Sequence, residues 1–306
     1  AVCHLEGPLL VLAGAGSGKT RVLTHRVAHL LSRGVSPGAV LAVTFTNKAA
    51  EEMRTRVERL VGPEAARIWV GTFHATCARI LRQDGREIGI DPKFAIYDTQ
   101  DQVAAVKEAL AKLDLSEKNF PPRSVLGSIS AAKNALLGPP EFEGTASDFW
   151  ARTVARVFPI YQEILRRCRA LDFDDLIQET VRLFTEHPRI LARYQGRWRY
   201  ILIDEYQDTN HAQYVLVKLL AQKYRNLCVV GDDDQSIYGF RQADVRNILE
   251  FERDYPEARV IKLEQNYRST GTILEAANEV IDNNVGRKGK RLWTENPAGE
   301  PVILNR

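Results

Sequence analysis

The stretch LLVLAGAGSGKT, residues 9–20, governs the reading of the whole chain. Its apolar opening reads as a buried strand over 9–14. The residues after it, 19–32, read as a helix with Val22, Leu23, Val27, Leu30 and Leu31 on one face and Gly34 as its stop. Between the two lies GAGSGKT. Gly14, Gly16 and Gly18 remove side chains, so that the backbone N–H groups of Ala15, Gly16, Ser17 and Gly18 can cradle phosphate oxygens where the helix dipole favours negative charge. Lys19 is then expected to reach the β- and γ-phosphates of a nucleoside triphosphate, and Thr20 to hold Mg²⁺ through its hydroxyl. Ala13 stands at the first position of the pattern, where Gly is usual; this is a small-for-small exchange.

Outward from this loop, strand and helix alternate. VLAVTFT (40–46) and RIWVGTF (67–73) read as further strands, with a helix over 47–61 for which Asn47 is the expected cap. Strict alternation implies a parallel sheet covered on both faces. From 74 to 198 the periodicity is helical, with no convincing strand. Thr99 to Gln102 reads as a capping box, residues 147–171 as a long helix, and Pro121-Pro122 and Pro139-Pro140 as breaks. Strands resume at 200–205, 226–232 and 259–265, followed by a helix over 270–283.

The resumed strands carry the second half of the chemistry. In ILIDEYQD, Asp204 leaves the carboxyl end of a buried strand, where it can hold the water shell of Mg²⁺; Glu205 beside it can accept a proton from an attacking water. The sequence distance from Lys19 to Asp204 is too long for adjacent strands of a small kinase, so a helical domain is expected between them. In VVGDDDQSIYGFRQAD, the amide of Gln235 is placed to sense the γ-phosphate or the water. Tyr238 and Phe240 could stack on bases.

Composition narrows the class. An apolar share of 44% with 26% charge excludes a disordered polymer, and a net charge of +3 leaves nucleic-acid contact to a local groove. No apolar run approaches the roughly 20 residues that span a bilayer, so no membrane is expected. Cys3, Cys77, Cys168 and Cys228 form no CxxC pair and read as reduced, in a cytoplasmic protein. The chain opens at Ala1 and stops just after PVILN, and so reads as a piece of something longer.

With AGAGSGKT, TFTNKAAEEM, GTFHA, DFDDLI, ILIDEYQDTN, GDDDQSIYGFR and LEQNYRST in this order, the sequence resembles the UvrD/Rep/PcrA family of superfamily 1 DNA helicases over nearly its whole length. The resemblance implies an α/β fold, a RecA-like P-loop NTPase parallel sheet with an inserted all-helical subdomain. Residues 1–73 and 199–264 would form the first motor domain, 74–198 the insertion, and 265–306 the truncated start of a second motor domain. It implies ATP and Mg²⁺ as cofactors, 3′→5′ polarity, and single-stranded DNA and single/double-strand junctions as partners, with no protein partner indicated. Arg21 and Tyr267 would sandwich the adenine, Arg268 would act as an arginine finger, and Arg241 would link the γ-phosphate to the DNA-binding aromatics. Phe45, Asn47, Phe73, His74, Tyr238 and Phe240 would meet the DNA. There are departures. The adenine-reading glutamine segment does not precede Val2, Phe240 replaces a more usual tryptophan, and Tyr206 a more usual phenylalanine.

Two other readings stay open, a helicase–nuclease subunit of the RecB/AddA kind and a degenerate motor that binds DNA without turnover. His25 and His29 read as surface or packing residues, not a metal pair. The run RKGKR (287–291) reads as a solvated tail or a phosphate contact.

Overall fold

The computed structural model describes residues 1–239, 242–284 and 287–303. In chain order the strands are β1 (Leu9–Ala13), β2 (Val40–Thr44), β3 (Trp69–Thr72), β4 (Ala95–Ile96), β5 (Ala170–Leu171), β6 (Tyr200–Ile203), β7 (Leu227–Gly231) and β8 (Arg259–Leu263). Among the described residues one sheet has six strands in the order β3-β2-β6-β7-β1-β8, and all its neighbouring pairs are parallel. Leu12 lies opposite Gly231, Ala13 opposite Leu263 and Ile203 opposite Val229. Parallel strands in this register bring their carboxyl ends to one edge, which is where open α/β sheets place ligands.

Burial explains why these strands form. β1, β2, β6 and β7 are buried along their whole length, as the continuous apolar runs require. Against them pack Leu23, Val27 and Leu30 of α1 (Lys19–Ser32) and Met53 and Val57 of α2 (Asn47–Val61), in one core with Val11, Ala42, Leu202 and Val230. Each such Leu or Val contributes roughly 1.5–3 kcal/mol by leaving water. Gly34, at φ +84°, donates its N–H to the Leu31 carbonyl and ends α1 as expected. The cap of α2 differs from expectation. Thr46 is the N-cap, accepting from the Ala49 N–H at 3.1 Å, and Asn47 is already helical.

The chain divides into two compact units. One comprises Ala1–Thr72, Arg193–Thr209 and Leu220–Arg306, and contains the six-stranded sheet. The other comprises Phe73–Ala192 and Asn210–Leu219. Its helices include α3 (Phe73–Asp84), α4 (Thr99–Lys112), α5 (Pro122–Asn134), α6 (Pro139–Thr145), α7 (Phe149–Arg167) and α8 (Phe173–Glu186). α4 begins one residue earlier than its expected capping box implies. Asp98 caps it, with Asp101 closing the reciprocal bond, because a carboxylate complements the helix N-terminus better than a hydroxyl does. This unit also contains the two-residue parallel pair of β4 and β5, too short to leave a period in the sequence. Residues 210–219 join it through Asn210, whose side-chain amide donates to Asn134. Trp198 lies in the sheet unit, edge-on to Trp69 with ring centroids 5.0 Å apart.

Candidate active site

The phosphate loop leaves β1 at Gly14. Its turn depends on two left-handed residues, Gly16 at φ +69° and Gly18 at φ +92°, which glycine adopts without steric cost. Ser17 closes the turn from inside, its hydroxyl donating to the Gly14 carbonyl at 2.7 Å. Lys19 and Thr20 therefore begin α1 at the carboxyl edge of the sheet.

Asp204 and Glu205 leave β6 at the same edge. The Asp204 backbone N–H donates to the Val43 carbonyl at 3.0 Å, which fixes the strand end against β2. Glu205 sits at φ 49°, ψ 47°, a left-handed conformation that costs a non-glycine residue roughly 1–3 kcal/mol. That bend turns its carboxylate toward the loop, where Oε2 accepts from Lys19 Nζ at 2.7 Å. Lys19 and the acidic pair are thus brought together as the sequence required. Burial pushes the Asp204 carboxyl up to about 6, the Glu205 charge adds to this, and Lys19 and the Thr20 hydroxyl oppose it. A buried carboxylate whose ionisation is penalised in this way, hydrogen-bonded to the Thr20 hydroxyl, is a group that a divalent cation would relieve. The glycine cradle, Lys19, Thr20 and Asp204 consequently fit a magnesium-bound triphosphate.

Gln235 lies in the short turn Asp233–Gln235 after β7, and its amide donates to Asp232 Oδ2. Sequence reasoning missed three residues around it. Gln207 is fully buried. Its amide nitrogen donates to Glu205 Oε2 at 2.9 Å, and its oxygen accepts from the Asp232 N–H at 2.9 Å. Lys290 is also buried, with its ammonium 2.6 Å from Asp232, 2.6 Å from Asp233 and 2.7 Å from Asp234. Burial works against the Lys290 charge, but the three carboxylates outweigh it and raise its pKa. Arg287 adds a 3.0 Å pair with Asp234. RKGKR is therefore a strap over the acidic turn rather than a solvated tail. Matching the DDD run with the densest basic run in the chain could have found it.

Asn266 is the third. Its amide donates to the Ala15 carbonyl at 2.6 Å, and its oxygen accepts from the N–H groups of Arg268 and Ser269 at 2.8 and 2.7 Å. The Tyr267 N–H donates to the Gly16 carbonyl at 3.0 Å. QNYRST thus rests directly on the phosphate loop, and a Cβ on Gly16 would come within 2.7 Å of Asn266 and 2.9 Å of Arg268. Arg21, Tyr267 and Arg268 have exposed side chains, with Tyr267 62% accessible.

The expected DNA contacts differ in presentation. In the sheet unit Asn47 and Tyr238 are exposed and Phe45 is half-buried. In the helical unit His74 is half-buried, its ring edge-on to Phe173 at 5.7 Å, and burial lowers its pKa, favouring neutral imidazole. Phe73 is only 3% accessible and gives no open face to a base, because it begins α3 on the side that packs into its own unit. Phe240 and Arg241 lie outside the described residues. No described helix is long and apolar enough to cross a membrane, and the four cysteines are free thiols.

Residues 1–256 match the family model described as the UvrD/REP helicase N-terminal domain, and residues 261–306 match the UvrD-like helicase C-terminal domain. Over 303 residues the chain is 58% identical to the ATP-dependent DNA helicase PcrA of Staphylococcus aureus and 57% identical to that of Staphylococcus epidermidis. Each match covers 99% of this chain and 42% of the relative, so the chain spans less than half the length of these relatives.

Proposed function

The chain belongs to the UvrD/REP helicase family, and from that membership we propose that it supplies the ATP-hydrolysing part of a 3′→5′ motor on single-stranded DNA. The observation that supports this reading most strongly is the 2.7 Å pair of Lys19 with Glu205 beside buried Asp204. In this reading the unit that holds the six-stranded sheet carries the first motor domain, the unit of Phe73–Ala192 and Asn210–Leu219 is the helical insertion, and 265–306 is the start of the second motor domain.

Mg·ATP, when bound, supplies the phosphoryl group to be transferred and a divalent charge. The protein supplies position. Backbone N–H groups over Ala15–Gly18 face the phosphates, Thr20 and Asp204 hold the metal and its water, and Lys19 takes up phosphate charge. With Lys19 engaged by phosphate, the Glu205 carboxylate would be free to orient a water and take its proton. Arg268 would bring a further positive charge to the γ-phosphate, Arg21 and Tyr267 would flank the adenine, and Gln235 would report the phosphate state to the turn bearing Tyr238. In the sheet unit Phe45, Asn47 and Tyr238, and in the helical unit His74, would each meet single-stranded DNA or its junctions with duplex. A cytoplasmic location follows from this role. A non-hydrolysing module is disfavoured, because it would have no need of a strained Glu205 held against Lys19.

ATP hydrolysis by the full-length protein, measured with and without oligothymidylate, tests the proposal. Turnover should rise with the oligonucleotide and vanish in Lys19→Ala at unchanged circular dichroism. Turnover indifferent to DNA, or retained in Lys19→Ala, would overturn it.

A further inference from the structure

Resting on that reading, we propose that Lys290 is a positioning residue for hydrolysis, holding the Asp232 turn so that one hydrogen-bonded path runs from the basic strap to Lys19. Three consecutive carboxylates at the end of β7 repel one another. Asp232 is buried, so water cannot screen that repulsion, and the turn needs a cation. Lys290 meets all three within 2.7 Å, and the Lys288 N–H adds a 2.7 Å bond to Asp233. The ligand atoms of these acids lie within 4.8 Å of one another, but the lysine ammonium occupies their focus, so the cluster needs no metal.

From Asp232 the path is continuous. Its carboxylate takes Lys290 on Oδ1 and Gln235 on Oδ2. Its N–H donates to Gln207 Oε1, Gln207 Nε2 donates to Glu205 Oε2, and the same oxygen accepts from Lys19. The Gln207 amide has one orientation that serves both ends, because the Asp232 N–H can only donate and the Glu205 carboxylate only accept. Space is reserved for it as well, since a Cβ on Gly231 would come within 2.6 Å of Gln207 Oε1. A turn released by loss of Lys290 would therefore carry Asp232 off Gln207 and leave Glu205 without the partner that fixes its carboxylate.

The test is steady-state ATP hydrolysis by the full-length protein at saturating oligothymidylate, for Lys290→Met, Lys290→Arg, Gln207→Leu and the double variant Lys290→Met/Gln207→Leu. Lys290→Met and Gln207→Leu should each lose about tenfold or more in kcat with KM for ATP changed less than about threefold, the mark of an interaction that acts on turnover rather than on binding. Lys290→Arg should recover part of the loss. The double variant should be no slower than the worse single, since residues on one path are not additive. If Lys290→Met does not accumulate as folded protein, Gln207→Leu carries the same expectation and Lys290→Arg a smaller loss in kcat, with KM for ATP again changed less than about threefold. Unchanged kcat in the folded variants, or additive losses in the double, overturn the proposal while leaving the ATPase reading intact. A wild-type protein without DNA-stimulated turnover removes both.

Discussion

Replacing Lys133 by methionine isolates the buried charge cluster of the helical unit. Lys133 is fully buried, 2.6 Å from Asp172 Oδ2 and 2.7 Å from Asp175 Oδ1, and the Tyr161 hydroxyl donates to Asp172 at 2.8 Å. Both carboxylates belong to DFDDLI, where they also form the capping box of α8. Burial, then the Asp172 charge, push the Asp175 carboxyl up to about 7 against the pull of Lys133. Burial also opposes ionisation of Asp172, but Lys133 and the surrounding hydrogen bonds outweigh it and hold its carboxyl below the usual range. Methionine fills most of the lysine volume without the charge, so two buried carboxylates face one another and at least one must take a proton. Asp175, at about 7, already holds its proton part of the time in the unmutated protein, so the added cost falls on Asp172, and protonating an ordinary carboxylate at pH 7 costs about 4 kcal/mol. That agrees with the roughly 3–5 kcal/mol lost when one partner of a buried pair is removed.

The sign follows from the direction of the shift. In the variant both carboxylates have folded-state pKa values raised above their unfolded ones, so the native state binds more protons and stability rises on acidification. The deficit should shrink by about 1.4 kcal/mol per pH unit between pH 7 and pH 5 for each proton that the folded variant binds beyond the unmutated protein, whose Asp175 at about 7 takes up its own. Urea unfolding followed by far-ultraviolet ellipticity at both pH values measures it. A loss below about 1 kcal/mol, equal at pH 5 and pH 7, would refute the assignment of a buried ionic cluster.

Three further outcomes are expected. Gly16→Ala should destabilise the protein by roughly 1–3 kcal/mol and weaken binding of a fluorescent ATP analogue, because the left-handed turn and the 2.7 Å approach of Asn266 both exclude a Cβ; urea melts and fluorescence titration check this. Asp204, pushed up to about 6, must shed its proton to hold a metal, so Mg²⁺-dependent nucleotide affinity should fall as pH drops through that value. Calorimetry in buffers of different ionisation enthalpy should show proton release near that pH, and a pH-independent affinity would count against the assignment. Glu205→Gln should lower kcat by about 10²–10⁴ while leaving nucleotide affinity no weaker, since the proton acceptor is lost and Lys19 is freed.

The sheet was readable because continuous apolar runs such as LLVLA and YILI have no other stable home than a strand buried on both faces. The phosphate loop was readable because glycine at 16 and 18 is a backbone requirement, not a packing preference. What stayed hidden depends on pairings distant in sequence. Lys290 and Asp232 meet only after the chain has folded, so the basic run reads in the sequence as a solvated tail or a phosphate contact. Lys133 gave no local sign, since a lone lysine on a helix is ordinarily solvated and its partners arrive with a different helix. Phe73, which the resemblance assigns to DNA, begins a helix and lies buried at 3% accessibility, a placement that its position at the end of GTF does not reveal. Gln207 was visible inside ILIDEYQD but silent, because its value lies in linking two strand ends rather than in chemistry of its own.

The central claim is that the glycine loop and the Asp204–Glu205 pair build one metal-nucleotide site. Its most direct test is a crystal structure of the full-length protein grown with Mn²⁺ and a slowly hydrolysed ATP analogue, read by the anomalous signal of manganese. The account predicts a single strong peak between the Thr20 hydroxyl and Asp204, with Lys19 moved from Glu205 onto phosphate oxygens. A metal seated on Asp232, Asp233 and Asp234, or phosphates bound away from the glycine loop, would contradict it.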